Sequence, residues 1–158
     1  MDRLKYFWAF SLLAFLNIST GFAINIDYQR TSFFVNCAKT VSGSGTSWDD
    51  ALSTDVFIDV LSKTKKNCTF YLAEGEYRSK SSVDPSLYAA FTISYGVTIR
   101  GGYSPSQKSL DKPSGKETIL CGSFPNIDYL VYANIPGEDT ISFYDVHFKG
   151  SSLYSCEG

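Results

Sequence analysis

The sequence is poor in the residues from which metal sites and nucleophilic catalysts are usually built. Of its 158 residues, His147 is the only histidine, and the four cysteines include no Cys-x-x-Cys pair. Structural zinc sites combine closely spaced Cys and His ligands, so this composition disfavours a Cys/His zinc centre. We therefore expect no bound metal and no cofactor.

An excess of charge of either sign is also missing, since the formal net charge is only −2. Nucleic-acid-binding domains generally carry a clear basic excess, so we expect no nucleic-acid partner. Lys63, Lys65 and Lys66 form a local basic cluster. We interpret this cluster as a solvated helix end, because cations favour helix C-termini.

Long apolar runs are missing except near the N-terminus. The mostly apolar residues 6–16 are fewer than the roughly 20 that span a bilayer. Arg3 and Lys5 precede them, and Gly21-Phe22-Ala23 has small residues at the positions that a signal peptidase recognises. We predict that residues 1–23 are a secretory signal peptide. The mature protein is then secreted, periplasmic or at the cell surface, with no transmembrane segment.

All four cysteines lie in the predicted mature chain, at positions 37, 68, 121 and 156. An even number of cysteines in an exported chain favours disulfides, and four cysteines allow three connectivities. We expect the pairs Cys37–Cys68 and Cys121–Cys156, because each pair brackets one segment of the chain.

Aromatic residues are abundant, whereas antiparallel hairpin turns are missing. The 12 Phe and 11 Tyr favour β-structure. The Asn-Gly and Asp-Gly turns that close two-residue hairpins do not occur. Instead, short apolar strands with Gly, Asp or Asn at their corners are predicted within residues 31–36, 69–78, 90–103, 117–122, 129–134 and 139–150.

The stretch TFYLAEGEYR, residues 69–78, contains a break in the strand pattern. Phe70 and Leu72 share one face of a strand because side chains alternate with period two. Tyr77 lies an odd number of positions from Leu72. It returns to the same face only if the chain turns a corner at Glu74-Gly75.

Short strands joined by such corners predict an all-β fold, a short right-handed parallel β-helix of two to three coils. Thr54–Thr64 is the one good helix candidate, since its apolar residues recur at helical spacing. We expect residues 24–68 to form an N-terminal cap of one strand and this amphipathic helix. Residues 69–158 form the coils.

Four motifs resemble the start of known proteins. They are GTSWDDAL, TFYLAEGEYR, GVTIRGGY and ETILCG, in that order. They resemble the N-terminal cap and first coils of bacterial exported right-handed parallel β-helix surface proteins, which belong to the pectate-lyase-like superfamily. The resemblance covers residues 33–150. It implies the fold and export more than the chemistry, because the enzymes of this superfamily carry their catalytic residues on more central coils.

An exposed aromatic and basic surface is the best candidate for binding. We predict that Tyr88, Tyr95, Arg100 and Tyr103 contact acidic glycans, since aromatic faces with Arg bind sugars well. The alternative is that these tyrosines are ordinary strand residues.

His147 and Lys149 are a second candidate, because they point outward if Val146 and Phe148 point inward. They suit sugar contact or acid–base chemistry. The alternative is a plain solvent-facing strand.

Two acidic pairs have structural explanations as well as functional ones. Glu74 and Glu76 resemble a glycosidase carboxylate pair, but they also fit a strand corner. Asp49 and Asp50 suggest calcium, but next to a helix start they complement the helix dipole.

We expect a non-catalytic exported module for adhesion or glycan contact. The alternative is the N-terminal part of a polysaccharide lyase or glycosidase. Stacked coils expose unpaired strand edges at their end. We therefore expect this end to be covered by the segment SSLYSCEG, by further coils of a longer protein, or by a stacking partner chain.

Overall fold

A computed structural model describes residues 24–79, 89–111, 113–122 and 128–150 of the chain. The predicted signal peptide lies outside these residues, as do Tyr88 and Cys156. Within the described ranges, no helix is both long and apolar enough to cross a membrane.

Nine short strands and one helix form the secondary structure of this part of the chain. In chain order they are β1 Ser32–Val35, α1 Thr54–Lys63, β2 Cys68–Ala73, β3 Gly75–Arg78, β4 Ala89–Ile93, β5 Val97–Tyr103, β6 Thr118–Cys121, β7 Tyr129–Ala133, β8 Ile141–Tyr144 and β9 His147–Lys149. The prediction of a helix over Thr54–Thr64 is confirmed to within one residue.

The strands form three sheets, and every strand pair in the described residues is parallel. Sheet A has the order β1-β2-β5-β8, sheet B has β3-β6-β9, and sheet C has β4-β7. From β2 onward the chain enters sheets A, B and C in turn and then repeats this order. We call one passage through the three sheets a round. The expectation of a mainly-β fold is confirmed, with its strands in parallel sheets.

The chain turns between sheets A and B at Glu74-Gly75, as the strand pattern predicts. Gly75 has a φ of 125°, which residues with a side chain rarely adopt. The Glu74 N–H donates to the Tyr103 carbonyl oxygen (2.7 Å), and the Gly75 N–H donates to the Glu117 carbonyl oxygen (2.8 Å). The corner is thus held by the round that follows it.

Tyr77 returns to the interior after this corner and is fully buried. Its hydroxyl donates to the carbonyl oxygens of Val35 (3.0 Å) and Ala73 (2.9 Å). Burial, together with the nearby Cys37 thiol, holds the pKa of Tyr77 well above its ordinary value of 10. The Tyr77 side chain therefore joins β3 to the ends of β1 and β2.

The parallel register stacks inward-facing side chains from one round to the next. In sheet A, Phe33, Phe70, Ile99 and Phe143 are in register. The rings of Phe33 and Phe70 are stacked with their centroids 5.3 Å apart. The first three residues are fully buried, whereas Phe143 in the last round is only partly buried.

In sheet B, burial also decreases towards the last round. Tyr77, Leu120 and Phe148 are in register there. Tyr77 and Leu120 are fully buried, but Phe148 is 48% exposed. The core is therefore closed at the end that contains β1 and α1 and more open at the end that contains β8 and β9.

Helix α1 covers the first round through Phe57. This fully buried ring lies 5.1 Å from Phe70, 6.1 Å from Tyr77 and 6.3 Å from Phe91, measured between centroids. These three residues belong to β2, β3 and β4, so the one ring contacts all three sheets. Phe57 thus fills the space between the sheets at this end of the core.

We expect Phe57→Ala to lower the free energy of unfolding by about 3–5 kcal/mol, because it leaves a cavity at the junction of the three sheets. Val56→Ala, at a partly buried position of the same helix, is the control and should cost less. Urea unfolding of both variants measures the difference. Equal losses in the two variants would contradict the role of Phe57.

The raised pKa of Tyr77 predicts a loss of stability at alkaline pH. The folded pKa lies above the unfolded value of about 10, so this contribution is intact below pH 10 and declines as pH rises further. Tyr77→Phe should cost about 1 kcal/mol near neutral pH and should lose less stability between pH 9 and 11. Unfolding free energies of both proteins across this range test the prediction, and parallel pH profiles would refute it.

Candidate functional site

The described residues of the predicted binding surface lie in three places: Arg100 and Tyr103 on β5 of sheet A, Tyr95 in the turn between β4 and β5, and His147 and Lys149 on β9 of sheet B. Tyr88 lies outside the described residues. Among these residues, Arg100 is the one that lies beside aromatic and hydroxyl side chains, the groups that suit glycan contact.

The outer face of sheet A carries a row of large side chains that includes Arg100. The register places Phe34, Tyr71, Arg100 and Tyr144 side by side on the four strands. The ring centroids of Phe34 and Tyr71 are 5.6 Å apart, and the Arg100 guanidinium lies 4.9 Å from the Tyr144 ring centroid. Because adjacent strands are separated by about 4.8 Å, these four positions span roughly 14 Å. We call them the aromatic row.

A parallel row of hydroxyl groups lies two residues earlier on each strand. Ser32, Thr69, Thr98 and Ser142 are in register across sheet A. The last three of them line a shallow depression of about 230 Å³. Aromatic and hydroxyl groups are therefore presented together on one face, where they can stack on a ring and hydrogen-bond its substituents.

Tyr103 does not contribute to the exposed part of this face, contrary to the expectation. It is only 2% exposed, and its hydroxyl donates to the Leu110 carbonyl oxygen (3.3 Å) in the loop that follows β5. Its ring packs against Tyr71 and Trp48, with centroids 5.6 and 6.1 Å away. Tyr103 is buried because two loops fold over this edge of the sheet.

Tyr71 and Tyr144 are not among the predicted binding residues, although the sequence contains a signal for them. Each strand of sheet A includes a tripeptide of hydroxyl, apolar and large residue: SFF at 32–34, TFY at 69–71, TIR at 98–100 and SFY at 142–144. The middle residue faces the core and the other two face outward. This repeat identifies both rows once the strands are known to pair in parallel.

The outer face of sheet B is a region of ion pairs. Glu76 contacts the Arg78 guanidinium (2.7 Å) and the Lys149 ammonium (3.6 Å). The hydrogen bond from Arg78, followed by the charge of Lys149, lowers the pKa of Glu76. His147 is exposed. It is in register with Glu76, and Ile119 of β6 lies between the two residues. Lys149 therefore already has an acidic partner within the chain.

The remaining acidic candidates have contacts of their own. Glu74 accepts a hydrogen bond from the Lys116 ammonium (2.7 Å). Asp50 accepts hydrogen bonds from the hydroxyls of Ser44 and Thr46, which lower its pKa. Asp50 therefore has hydrogen-bond partners within its own loop, and its interaction with the helix dipole stays a prediction. No group of three or more His, Cys, Asp or Glu side chains is arranged for a metal ion in the ranges described.

The expected Cys37–Cys68 disulfide is not formed. Cys37, Cys68 and Cys121 are free thiols. The Cys37 sulfur lies beside the Glu74 carbonyl oxygen (3.6 Å), beyond the end of β2, whereas Cys68 begins that strand. The intervening strand length is roughly 20 Å, far beyond the Cα separation of about 7 Å that a disulfide bridges. Because Cys121 is also a free thiol, the expected Cys121–Cys156 disulfide is not formed either; Cys156 itself lies outside the described residues.

Comparisons with protein-family models, with curated proteins and with solved structures find no match to this chain. The resemblance to the pectate-lyase-like superfamily therefore stays a prediction, and the functional inference depends on the geometry of the site.

We expect Cys37, Cys68 and Cys121 all to be alkylated when the purified protein is unfolded without reductant. Burial raises the pKa of all three thiols. In the folded protein, Cys68 and Cys121 should react more slowly than the half-buried Cys37, because their side chains are almost completely shielded from solvent. Mass spectrometry of the alkylated peptides identifies each site. Labelling of Cys37 and Cys68 only after reduction would contradict the absence of their disulfide.

Proposed function

We propose that the chain forms a right-handed parallel β-helix and acts as an exported, non-catalytic module for adhesion or glycan contact. The strict order in which successive strands enter sheets A, B and C supports the β-helix. Connections between parallel strands of one sheet are right-handed in about 98% of cases, which supports this hand. The signal-peptide pattern of residues 1–23 supports export.

The aromatic row beside the hydroxyl row is the observation that carries the binding proposal. Sugar rings have apolar faces that pack on aromatic side chains, and their hydroxyls bond to Ser and Thr. Tyr144 is 49% exposed, and Arg100 is exposed beside it. The Arg100 guanidinium supplies donors for a sugar hydroxyl or, more strongly, for a uronic acid carboxylate.

We expect Tyr144→Ala and Arg100→Gln each to weaken polysaccharide binding about tenfold, because each removes one exposed contact of the row. Tyr129→Ala and Arg78→Gln are the matched controls, since both residues are exposed on other sheets. Binding is measured by retardation in gels that contain pectin, xylan or a soluble cellulose derivative.

Unretarded migration of the unmodified protein in every gel would refute the proposed function. Equal losses in the sheet A variants and their controls would refute the role of this face. The lyase alternative is tested in the same samples: a rise in ultraviolet absorbance with a uronic acid polymer and calcium would show cleavage and overturn the non-catalytic proposal.

A further inference from the structure

A cavity of about 860 Å³ lies beside the C-terminal end of α1. It is bounded by residues 25–29, which precede β1, by residues 62–65 at the helix end, and by Tyr95 in the turn between β4 and β5. It shares no residue with the aromatic row or the hydroxyl row of sheet A. Sites for small organic ligands generally have volumes of about 300–1,000 Å³, so this cavity has the size of a ligand site.

The apolar part of the lining suits an aromatic ligand. Ile26 and Tyr28 line the cavity, are partly buried and pack against the hydrophobic core. Tyr95 is partly buried as well. Aromatic rings pair in stacked or edge-to-face arrangements, which contribute more than the burial of their area alone. A ligand with an aromatic body can therefore pack on one aliphatic side chain and two tyrosine rings.

The polar part of the lining includes two pairs of a tyrosine and a lysine, and the first pair is joined by a carboxylate of the chain. The Tyr28 hydroxyl donates to Oδ2 of Asp59 (3.3 Å), and the Lys63 ammonium contacts Oδ1 of the same carboxylate (2.7 Å). Hydrogen bonds to an ionised acceptor are stronger than those between neutral groups. A carboxylate therefore suits the space between a tyrosine hydroxyl and a lysine ammonium at this end of the helix.

The second pair, Tyr95 and Lys65, has no such acid. Both residues line the cavity and also a more open depression of about 590 Å³ that adjoins it. In the part of the chain that the structure describes, neither the Tyr95 hydroxyl nor the Lys65 ammonium has a hydrogen-bond or ion-pair partner. Two donors, one of them charged, are therefore available beside the apolar lining.

The acidic residues near this second pair have other partners. Asp27 of the cavity accepts a hydrogen bond from the Gln29 backbone N–H (2.9 Å). Asp139 of the adjoining depression accepts one from the Gly96 backbone N–H (3.0 Å). Within the described ranges, neither acid forms an ion pair with Lys65. A carboxylate from outside the chain can therefore join the second pair.

We infer that this cavity binds a small ligand with an aromatic body and one carboxylate. The carboxylate joins Tyr95 and Lys65 in the way that Asp59 joins the first pair, and the aromatic body packs on the apolar lining. The inference goes beyond the proposed function, because it assigns a second site away from the outer face of sheet A. A failure of either one leaves the other intact.

Two probes of the same shape separate the contribution of the carboxylate from that of the aromatic body. Naphthylacetate has a naphthalene ring and a carboxylate, whereas naphthylacetamide has the same ring and a neutral amide. We expect the purified protein at neutral pH to bind the acid about tenfold more tightly than the amide, because hydrogen bonds to an ionised acceptor are stronger. Ligand-observed NMR titrations up to millimolar concentrations measure both affinities.

Lys65→Gln should abolish this preference, because it weakens binding of the acid about tenfold and leaves binding of the amide unchanged. Lys108→Gln, at an exposed position in the loop after β5, is the matched control. Tyr95→Ala removes a ring of the lining and should weaken binding of both probes. Its control is Phe148→Ala, because the exposed Phe148 ring at the open end of the core is an alternative apolar site. Thermal unfolding verifies that each variant folds.

Each result supports or overturns a defined claim. A preference for the acid that is lost in Lys65→Gln and kept in Lys108→Gln supports the inference. Equal binding of the two probes, or a preference that persists in Lys65→Gln, overturns the assignment of the carboxylate. Binding that is weakened by Phe148→Ala and not by Tyr95→Ala places the probes at the open end and overturns the site. Absence of binding by both probes overturns it as well, whereas retardation in the polysaccharide gels is independent of all these results.

Discussion

The parallel register between rounds is the constraint on which the rest of the structure depends. It aligns each strand with the equivalent strand of the next round, so that similar side chains lie above one another on both faces. Inside sheet A this alignment stacks Phe33 on Phe70 and continues through Ile99. A slip of one residue would turn these side chains outward, because strand side chains alternate. The same register therefore stabilises the core and orders the outer surface.

Two features keep the register while the chain changes direction. At the corner between β2 and β3, Gly75 adopts a positive φ that residues with a side chain rarely adopt. The Tyr77 hydroxyl donates hydrogen bonds to backbone carbonyls at the ends of β1 and β2. At the end of the stack, the Phe57 ring contacts a buried aromatic residue from each sheet. The corner positions the sheets relative to one another, and the helix excludes water from the space between them.

The candidate site is a consequence of this architecture rather than of any one motif. Arg100 was recognisable as a candidate because it lies on a strand among aromatic residues. Its partner Tyr144 is more than 40 residues away in the sequence and reaches it only because β8 pairs with β5. Tyr103, three residues from Arg100, is instead buried beneath a loop whose path the strand pattern does not predict. The parallel register of β1 and β2 likewise places Cys37 and Cys68 at opposite ends of this strand pair.

The sequence by itself determined the local structure: the helix over residues 54–63, the short strands, and the corner that follows Ala73. These features depend on side-chain periodicity and on glycine, which act within a few residues. The tertiary structure alone decided which outward-facing residues form a common surface and which are covered. Proximity between rounds depends on strand pairing over tens of residues, and burial depends on where loops such as residues 104–111 fold. Local periodicity predicts neither the strand pairing nor the burial by loops. The rows on sheet A can therefore be identified only when the strand pairing is known.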